Sequence, residues 1–286
     1  MRRREFLLGT ATALGAGGSR LSVPLGGTEF TSFYWGEEWD KPFLHPIRSA
    51  SGRVLSRGFP VEPREGDSTD HGWHRGIWWG HGIVNGVDLW REQGRDKTGR
   101  LVVQAAPVLK GSLLTATMAM VSPQGKTFGS IRQSFEFSTR DRLRIIDATI
   151  EIAASVGEAL TFGDTDDGGF GFRLSEEFRE DRGARLRNSE GLEGSKAIWG
   201  KPARWVDYSA RLGGVDTGVA VFDHPANFRH PTRWHARGYS LCSANPFALK
   251  SFTRAGDGSH TVEAGQRLSL RYRVVIHEGA WEPEPG

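Results

Sequence analysis

The strongest regularity along the chain is an alternation of apolar and polar residues with period two. From Arg267 to Ile276, Leu268, Leu270, Tyr272, Val274 and Ile276 fall on one side, and Arg267, Ser269, Arg271 and Arg273 on the other. Successive side chains of an extended strand point to opposite faces, so this run predicts a strand with one buried face. Leu114 to Met120 alternates likewise. Ile131, Phe135 and Phe137 share a face in the next run. Ile146, Ala148, Ile150 and Ile152 do so in the one after, opposite Asp147, Thr149 and Glu151. Turn-forming residues separate the runs: Ser122-Pro123-Gln124-Gly125, Ser138-Thr139-Arg140-Asp141 and Ala264-Gly265.

No stretch carries a convincing helical period, and Ser175 to Arg182 reads as a short charged turn. Many strands at hairpin spacing, together with 38 glycines, predict an all-β fold, an antiparallel β-sandwich. No repeat of propeller or solenoid period is visible, and no linker divides the chain.

The first residues are of another kind. Arg2-Arg3-Arg4-Glu5-Phe6-Leu7-Leu8, followed by the Gly/Ala-rich run Gly9 to Gly18, forms a twin-arginine pattern with an apolar run too short for a membrane anchor. Residues 1–27 are therefore expected to be a signal peptide and residues 28–286 a single sandwich domain, periplasmic or secreted. The charge follows suit. The whole chain is formally +3, and residues 1–27 hold Arg2, Arg3, Arg4 and Arg20 against Glu5, also +3, so the remainder is near neutral. The basic balance is thus no sign of nucleic-acid binding. Cys242 is the only cysteine, which excludes an intrachain disulfide. No later stretch has the length of a membrane span, and the oligomeric state is not readable.

Three segments break the alternation and gather chemistry: Asp70 to Trp90, Gly163 to Arg173, and Phe222 to Arg237 with Ser243 to Phe247. The first holds His71, His74 and His81, which could share a divalent metal with Asp70 as ligand or as the acceptor that orients an imidazole. The alternative is that these histidines bond backbone or substrate. The tryptophans suggest a sugar platform, because flat indoles pack on the C–H faces of pyranose rings while Arg, Asn and Asp bond hydroxyls. Asp164, Asp166 and Asp167 crowd ahead of two glycines, where like charges would raise one another's pKa and suit a general acid. A solvated turn or a calcium loop is the alternative there. No phosphate loop, nucleophile elbow or cysteine nucleophile is present.

These motifs carry a resemblance. His45-Pro46 after Lys41-Pro42-Phe43-Leu44, Asp70-His71 with His74-Arg75, Gly80-His81-Gly82 with Val84-Asn85-Gly86, Asp88 and Trp90, and Asn227, Arg229, Pro231-Thr232 and Trp234-His235 with Asn245-Pro246-Phe247 together resemble an exported bacterial family labelled the methane oxygenase PmoA family, a domain of unknown function. Gly72-Trp73 departs from that family's more usual Pro-His, Ile83 from its Asp, and Asp167 from its Glu. The label implies a multi-span membrane subunit, which this chain does not resemble; the family's company implies carbohydrate metabolism. Size, strand pattern and the closing run from Gly265 are also similar to the galactose-mutarotase-like supersandwich, which implies sugar binding on a concave sheet face.

The expected function is an exported carbohydrate-active enzyme, a hydrolase or lyase on glycosides or uronic-acid-containing sugars. His74 and His235 would exchange protons, with Asp167 as acid. Trp79 and Trp234 would stack on the small-molecule or oligosaccharide ligand, while Arg75, Asn85, Arg229, Arg237 and Asn245 hold its hydroxyls or carboxylate. Two readings stand against it: a non-catalytic sugar-binding protein, and a metal-dependent oxidative enzyme using His71, His74 and His81.

Overall fold

The structure, a computed structural model, describes residues 11–14 and 18–283. Two large antiparallel sheets dominate. The first has eight strands, in spatial order Ala11–Leu14, Gly18–Leu25, Thr28–Gly36, Phe43–His45, Ile77–His81, Gly168–Arg173, Leu241–Asn245 and Arg233–Arg237. The second has nine. Eight follow the order Arg185–Asn188, Trp205–Leu212, Val215–Asp223, Arg267–Glu278, Leu143–Ala154, Thr127–Arg140, Leu113–Val121 and Arg100–Val103, and Val108–Lys110 also pairs with Leu113–Val121. A small third sheet joins Leu160–Phe162 to His260–Val262. Among the described residues helix is confined to single turns, including Glu176–Phe178 and Glu180–Arg182 in the stretch read as a charged turn. The antiparallel all-β sandwich expected from the alternation is what the chain forms.

The alternating runs become strands because each has one face to bury. Ile146, Ala148, Ile150 and Ile152 are buried, as are Leu270, Tyr272, Val274 and Ile276 opposite them. The sheets meet through aromatic pairs: Phe170 stacks on Tyr272 at 4.9 Å, Phe33 lies 6.2 Å from Phe135, and Phe172 meets Tyr208 edge-on at 5.6 Å. The turn expected over residues 138–141 lies slightly later. Strand Thr127–Arg140 runs through Ser138, and Asp141, with φ of 54°, makes the reversal.

The first strands bear on the expected leader, of which residues 1–10 and 15–17 lie outside the described residues. Residues 18–25 do not stand apart from the fold. Gly18–Leu25 pairs with Thr28–Gly36, and Leu21 and Val23 sit buried in the core. A domain boundary near residue 27 would strip this strand from the sheet. Removing two buried aliphatic side chains costs about 3–6 kcal/mol. A chain begun at residue 28 should therefore melt well below one begun at residue 18, as read by thermal circular dichroism. Equal melting temperatures would mean that the strand contributes nothing.

Candidate functional site

Alternation on the central strands decides which residues reach solvent. On Ile77–His81, Ile77, Trp79 and His81 project into the space between the sheets, and Trp78 projects to the opposite, outer face. His81 rests against Phe162 and Phe247 at 5.5 and 5.2 Å, and its Nε2 bonds the Gly163 carbonyl at 2.8 Å. Trp79 is fully buried in the core. On Arg233–Arg237, Trp234 is also core, its indole N–H bonded to the Ala203 carbonyl at 2.9 Å, while His235 and Arg237 face outward. Trp79 and Trp234 are thus packing residues, a correction to their expected stacking role.

The outer face is covered by the chain between His45 and Ile77 and by the segment around Trp90. Arg57 sews the first cover down. Its guanidinium, sealed from solvent, donates to the carbonyls of Ser68 (3.1 Å), Asp70 (2.8 Å), His71 (2.9 Å) and His74 (3.1 Å). Arg173, also sealed, reaches Asp70 Oδ1 at 3.3 Å and lies 4.5 Å over the Tyr239 ring. Beneath Trp90, Lys41 donates to the Trp90 carbonyl at 2.7 Å and to Glu92 at 2.9 Å, and Arg75 pairs with the same carboxylate. Burial, partly offset by Glu92, pushes the Lys41 amine down to about 8. Arg75, expected to bind ligand, is 3 % exposed, and its guanidinium lies over Trp39 and Phe43. It belongs to this buried ion cluster.

Above this base lies a column of four parallel rings. Tyr239 faces His71 at 6.1 Å, His71 faces His74 at 5.1 Å, and His74 faces Trp78 at 5.2 Å. His74 is 2 % exposed, and neither ring nitrogen has a hydrogen-bond partner. Burial holds its pKa well below the usual imidazole value, and the positive charges of Arg173 and Lys41 add to this, so the ring is neutral. His71 is 43 % exposed and paired with Asp70. Rings stacked face to face aim their in-plane lone pairs in parallel, and His81 lies on the other side of the sheet. The three histidines therefore do not converge on one ion. Among the described residues, no three His, Cys, Asp or Glu side chains are placed to share a metal.

The second and third segments meet beside this column. His235 Nδ1 donates to the Asp166 carbonyl at 2.7 Å and lies 3.9 Å from Asp167 Oδ1. Its Nε2 accepts from Arg237 Nε at 3.0 Å. Burial, with Arg237 adding and Asp166 opposing, brings His235 down to about 4. Asp167, paired with Arg91, is pushed up by burial and by Asp166 and Asp88. Arg237 lies 4.0 Å over Trp199, whose edge touches His235 at 4.7 Å. His235 and Asp167 thus lie together on the face that also carries His74.

Other expected binders hold loops instead. Asp164 accepts backbone N–H bonds from Leu249, Lys250, Ser251 and Gly258 at 2.6–3.2 Å, which bring its carboxyl down to about 2 against the effect of burial. The expected mutual raising of the three aspartates therefore fails for Asp164. Asn85 bonds the Ala159 carbonyl and the Thr161 N–H, Arg229 bonds the carbonyls of Pro246, Gly258 and Ser259, and Asn245 bonds those of Thr165 and Asp166. Of these, only Asn245 touches the site, by fixing the loop that carries Asp166 and Asp167. Sequence reasoning passed over Tyr239, Trp199 and Arg91, which sit among turn residues with no pattern to mark them. Of two cavities, the one of about 530 Å³ is lined by residues including Arg20 and Glu62, and the one of about 280 Å³ by Arg229 with Pro202, Pro231 and Arg233, away from His74, His235 and Asp167.

Fold and face together define an all-β double-sheet protein with a His, Asp, Arg and aromatic cluster on the outer face of one sheet. The chain belongs to the family of unknown function DUF6807, whose model matches residues 20–285. That is a different name from the methane oxygenase label carried by the motif resemblance. Among solved structures, a galactose mutarotase related enzyme from Lactobacillus acidophilus is 8% identical, with 97% of this chain and 100% of that chain covered and a TM-score of 0.42. A galactose mutarotase-like protein from Lactobacillus casei is 9% identical, with 94% and 100% covered and a TM-score of 0.44. No curated protein matches the chain.

The geometry makes two predictions. Trp234→Ala should cost about 3–5 kcal/mol by opening a cavity in the core, whereas Trp199→Ala, at the rim of the outer face, should cost much less in a denaturant titration. Similar losses would contradict the assignment of inside and outside. The second concerns pH. His45 (about 3), His74, His81 and His235 (both about 4) are all depressed by burial, so the unfolded chain binds their protons more readily than the folded one. Their contribution to stability is complete above the unfolded value of about 6.5 and is lost as pH falls from there towards 4. Near pH 5, unfolding should take up about four protons from these groups. Unfolding free energies at pH 7, 6 and 5 that do not fall would refute it.

Proposed function

We propose that the outer face binds a carbohydrate and acts on it by proton transfer, as a lyase or hydrolase. The observation that carries this reading is His74, buried between His71 and Trp78 with neither ring nitrogen engaged. Beside it stand a second neutral imidazole and a carboxyl of raised pKa. A neutral imidazole offers a lone pair to a proton, and burial shifts the Asp167 carboxyl upward, the direction a general acid needs. Trp73, Trp199 and Tyr239 offer aromatic surface to a sugar ring.

Elimination fits this arrangement better than hydrolysis. Glycoside hydrolysis commonly uses two carboxylates flanking the bond, whereas Asp166 and Asp167 are neighbours on one loop. In elimination from a uronic acid, a histidine takes the proton next to the carboxylate. The electron pair of that C–H bond forms the carbon–carbon double bond, and the departing sugar oxygen takes a proton from Asp167. One observation favours a second reading, binding without turnover: His235 Nε2 is already occupied by Arg237. The twin-arginine leader belongs to the proposal, placing the reaction outside the cytoplasm, with its processing point ahead of the strand Gly18–Leu25.

The test is a screen of uronic-acid-containing oligosaccharides, followed through the ultraviolet absorbance of an unsaturated product. Asp167→Asn should lower kcat about 10²–10⁴-fold, the range for a general acid, with little change in melting temperature. Unchanged turnover would remove Asp167 from the mechanism, and release of a saturated reducing end would favour hydrolysis.

A further inference from the structure

The hydrogen bonds around His235 determine its protonation from geometry alone. A carbonyl oxygen only accepts, so the 2.7 Å contact to Asp166 requires the proton on Nδ1. A guanidinium only donates, so the 3.0 Å contact from Arg237 Nε requires the lone pair on Nε2. The ring is therefore held as one neutral tautomer, with its only basic nitrogen capped by an arginine.

That arginine is not locked in place. The Arg237 side chain is 41 % exposed and rests on the Trp199 face at 4.0 Å, and its Nη2 makes only a long ion pair with Asp166 Oδ2 at 3.8 Å, without a hydrogen bond. Arg57 and Arg173, by contrast, are sealed under the cover. A guanidinium pairs with a carboxylate through two parallel N–H bonds, and charge-assisted bonds of this kind are about twice as strong as neutral ones. A neutral imidazole is the weaker acceptor for Arg237 Nε.

We propose that Arg237 is both the receptor for a ligand carboxylate and a latch on His235: a carboxylate engaging the guanidinium fork draws Nε off the imidazole and leaves the Nε2 lone pair free. This rests on the carbohydrate reading above and narrows it to sugar acids. Arg237 acts as a positioning residue towards His235, and the base is uncovered only when the right ligand is present. A neutral sugar of the same shape binds without releasing the latch.

The experiment reads the His235 nitrogens directly, by long-range ¹H–¹⁵N spectra of the imidazoles in the full chain. The wild-type protein should show His235 protonated on Nδ1, with a hydrogen-bonded Nε2. D-glucuronate or D-galacturonate should move the Nε2 resonance towards that of a free, unprotonated nitrogen, and D-glucose should leave it in place. Arg237→Gln should abolish the shift with either sugar acid and weaken their binding about tenfold or more, a larger loss than for D-glucose. Arg237→Ala, with its fold checked by the remaining imidazole signals, should show the free Nε2 without ligand.

An Nε2 resonance in Arg237→Ala identical to wild type would overturn the latch. A resonance unmoved by both sugar acids, or moved equally by D-glucose, would overturn the carboxylate receptor. None of these signals depends on turnover. A protein that shows the sugar-acid shift but degrades no uronic-acid oligosaccharide would refute the enzyme reading while leaving the latch standing.

Discussion

Arg57 is the contact on which the outer face depends. The chain from Ser56 to Gly76 forms only isolated bridges with the sheets, so its backbone carbonyls need donors from elsewhere. One guanidinium supplies four of them, to Ser68, Asp70, His71 and His74, and so fixes the entry and exit of the turn that carries both histidines. Sealing a cation in this way is expensive unless it is paired and hydrogen-bonded. Asp70 and the ring of carbonyls provide this, and burial lowers Arg57 only to about 10, so it keeps its charge at neutral pH. Without it there would be nothing to press His74 against Trp78.

The same accounting separates the charges below the site from those within it. Lys41 and Arg75 share Glu92, and Arg57 and Arg173 share Asp70, whose carboxyl they help to hold well below the usual carboxylate range. These groups are spent on each other. Loss of either partner would strand a buried charge, which costs more than an exposed pair ever contributes. They shape the electrostatic floor of the face, and the positive charges of Arg173 and Lys41 add to burial in keeping His74 neutral.

How much of this was legible in the sequence depends on how many faces of a strand are buried. Leu143–Ala154 and Arg267–Glu278 bury one face, so their alternation named both strand and core residues. Ile77–His81 is buried on both faces, so its tryptophans and histidine carry no sign of which way they point. That is why Trp79 looked like a platform and His81 like a ligand. The strand Gly18–Leu25 did alternate, with Leu21, Val23 and Leu25 against Arg20 and Ser22, but the pattern was masked by its continuity with a leader-like run. Arg75, Asn85, Arg229 and Asn245 are polar groups near motif residues, and composition cannot distinguish a group bonded to its own backbone from one awaiting a ligand. That the three segments share one sheet was not legible in the sequence, because it depends on Ile77–His81, Gly168–Arg173, Leu241–Asn245 and Arg233–Arg237 being consecutive neighbours, an order set by long-range pairing.

Incomplete satisfaction gathers at the candidate site, although Thr31, Trp79, His81, Gln133, Asn188, Tyr272 and His277 also hold an unpaired buried atom elsewhere. Buried polar groups in folded proteins are almost always hydrogen-bonded, and exceptions call for a reason. Asp164, Asn245 and Arg229 have their partners and act as structure. His74 has none, Arg173 leaves Nε and Nη1 unpaired, and the Trp73, Trp78 and Trp90 indole N–H groups around them are likewise unengaged. All lie on the outer face, under or beside the ring column, and most are donors. On the same face Arg237, an exposed donor, stands against the basic nitrogen it caps, so that in the proposed latch recognition of an anionic ligand and exposure of His235 become a single event.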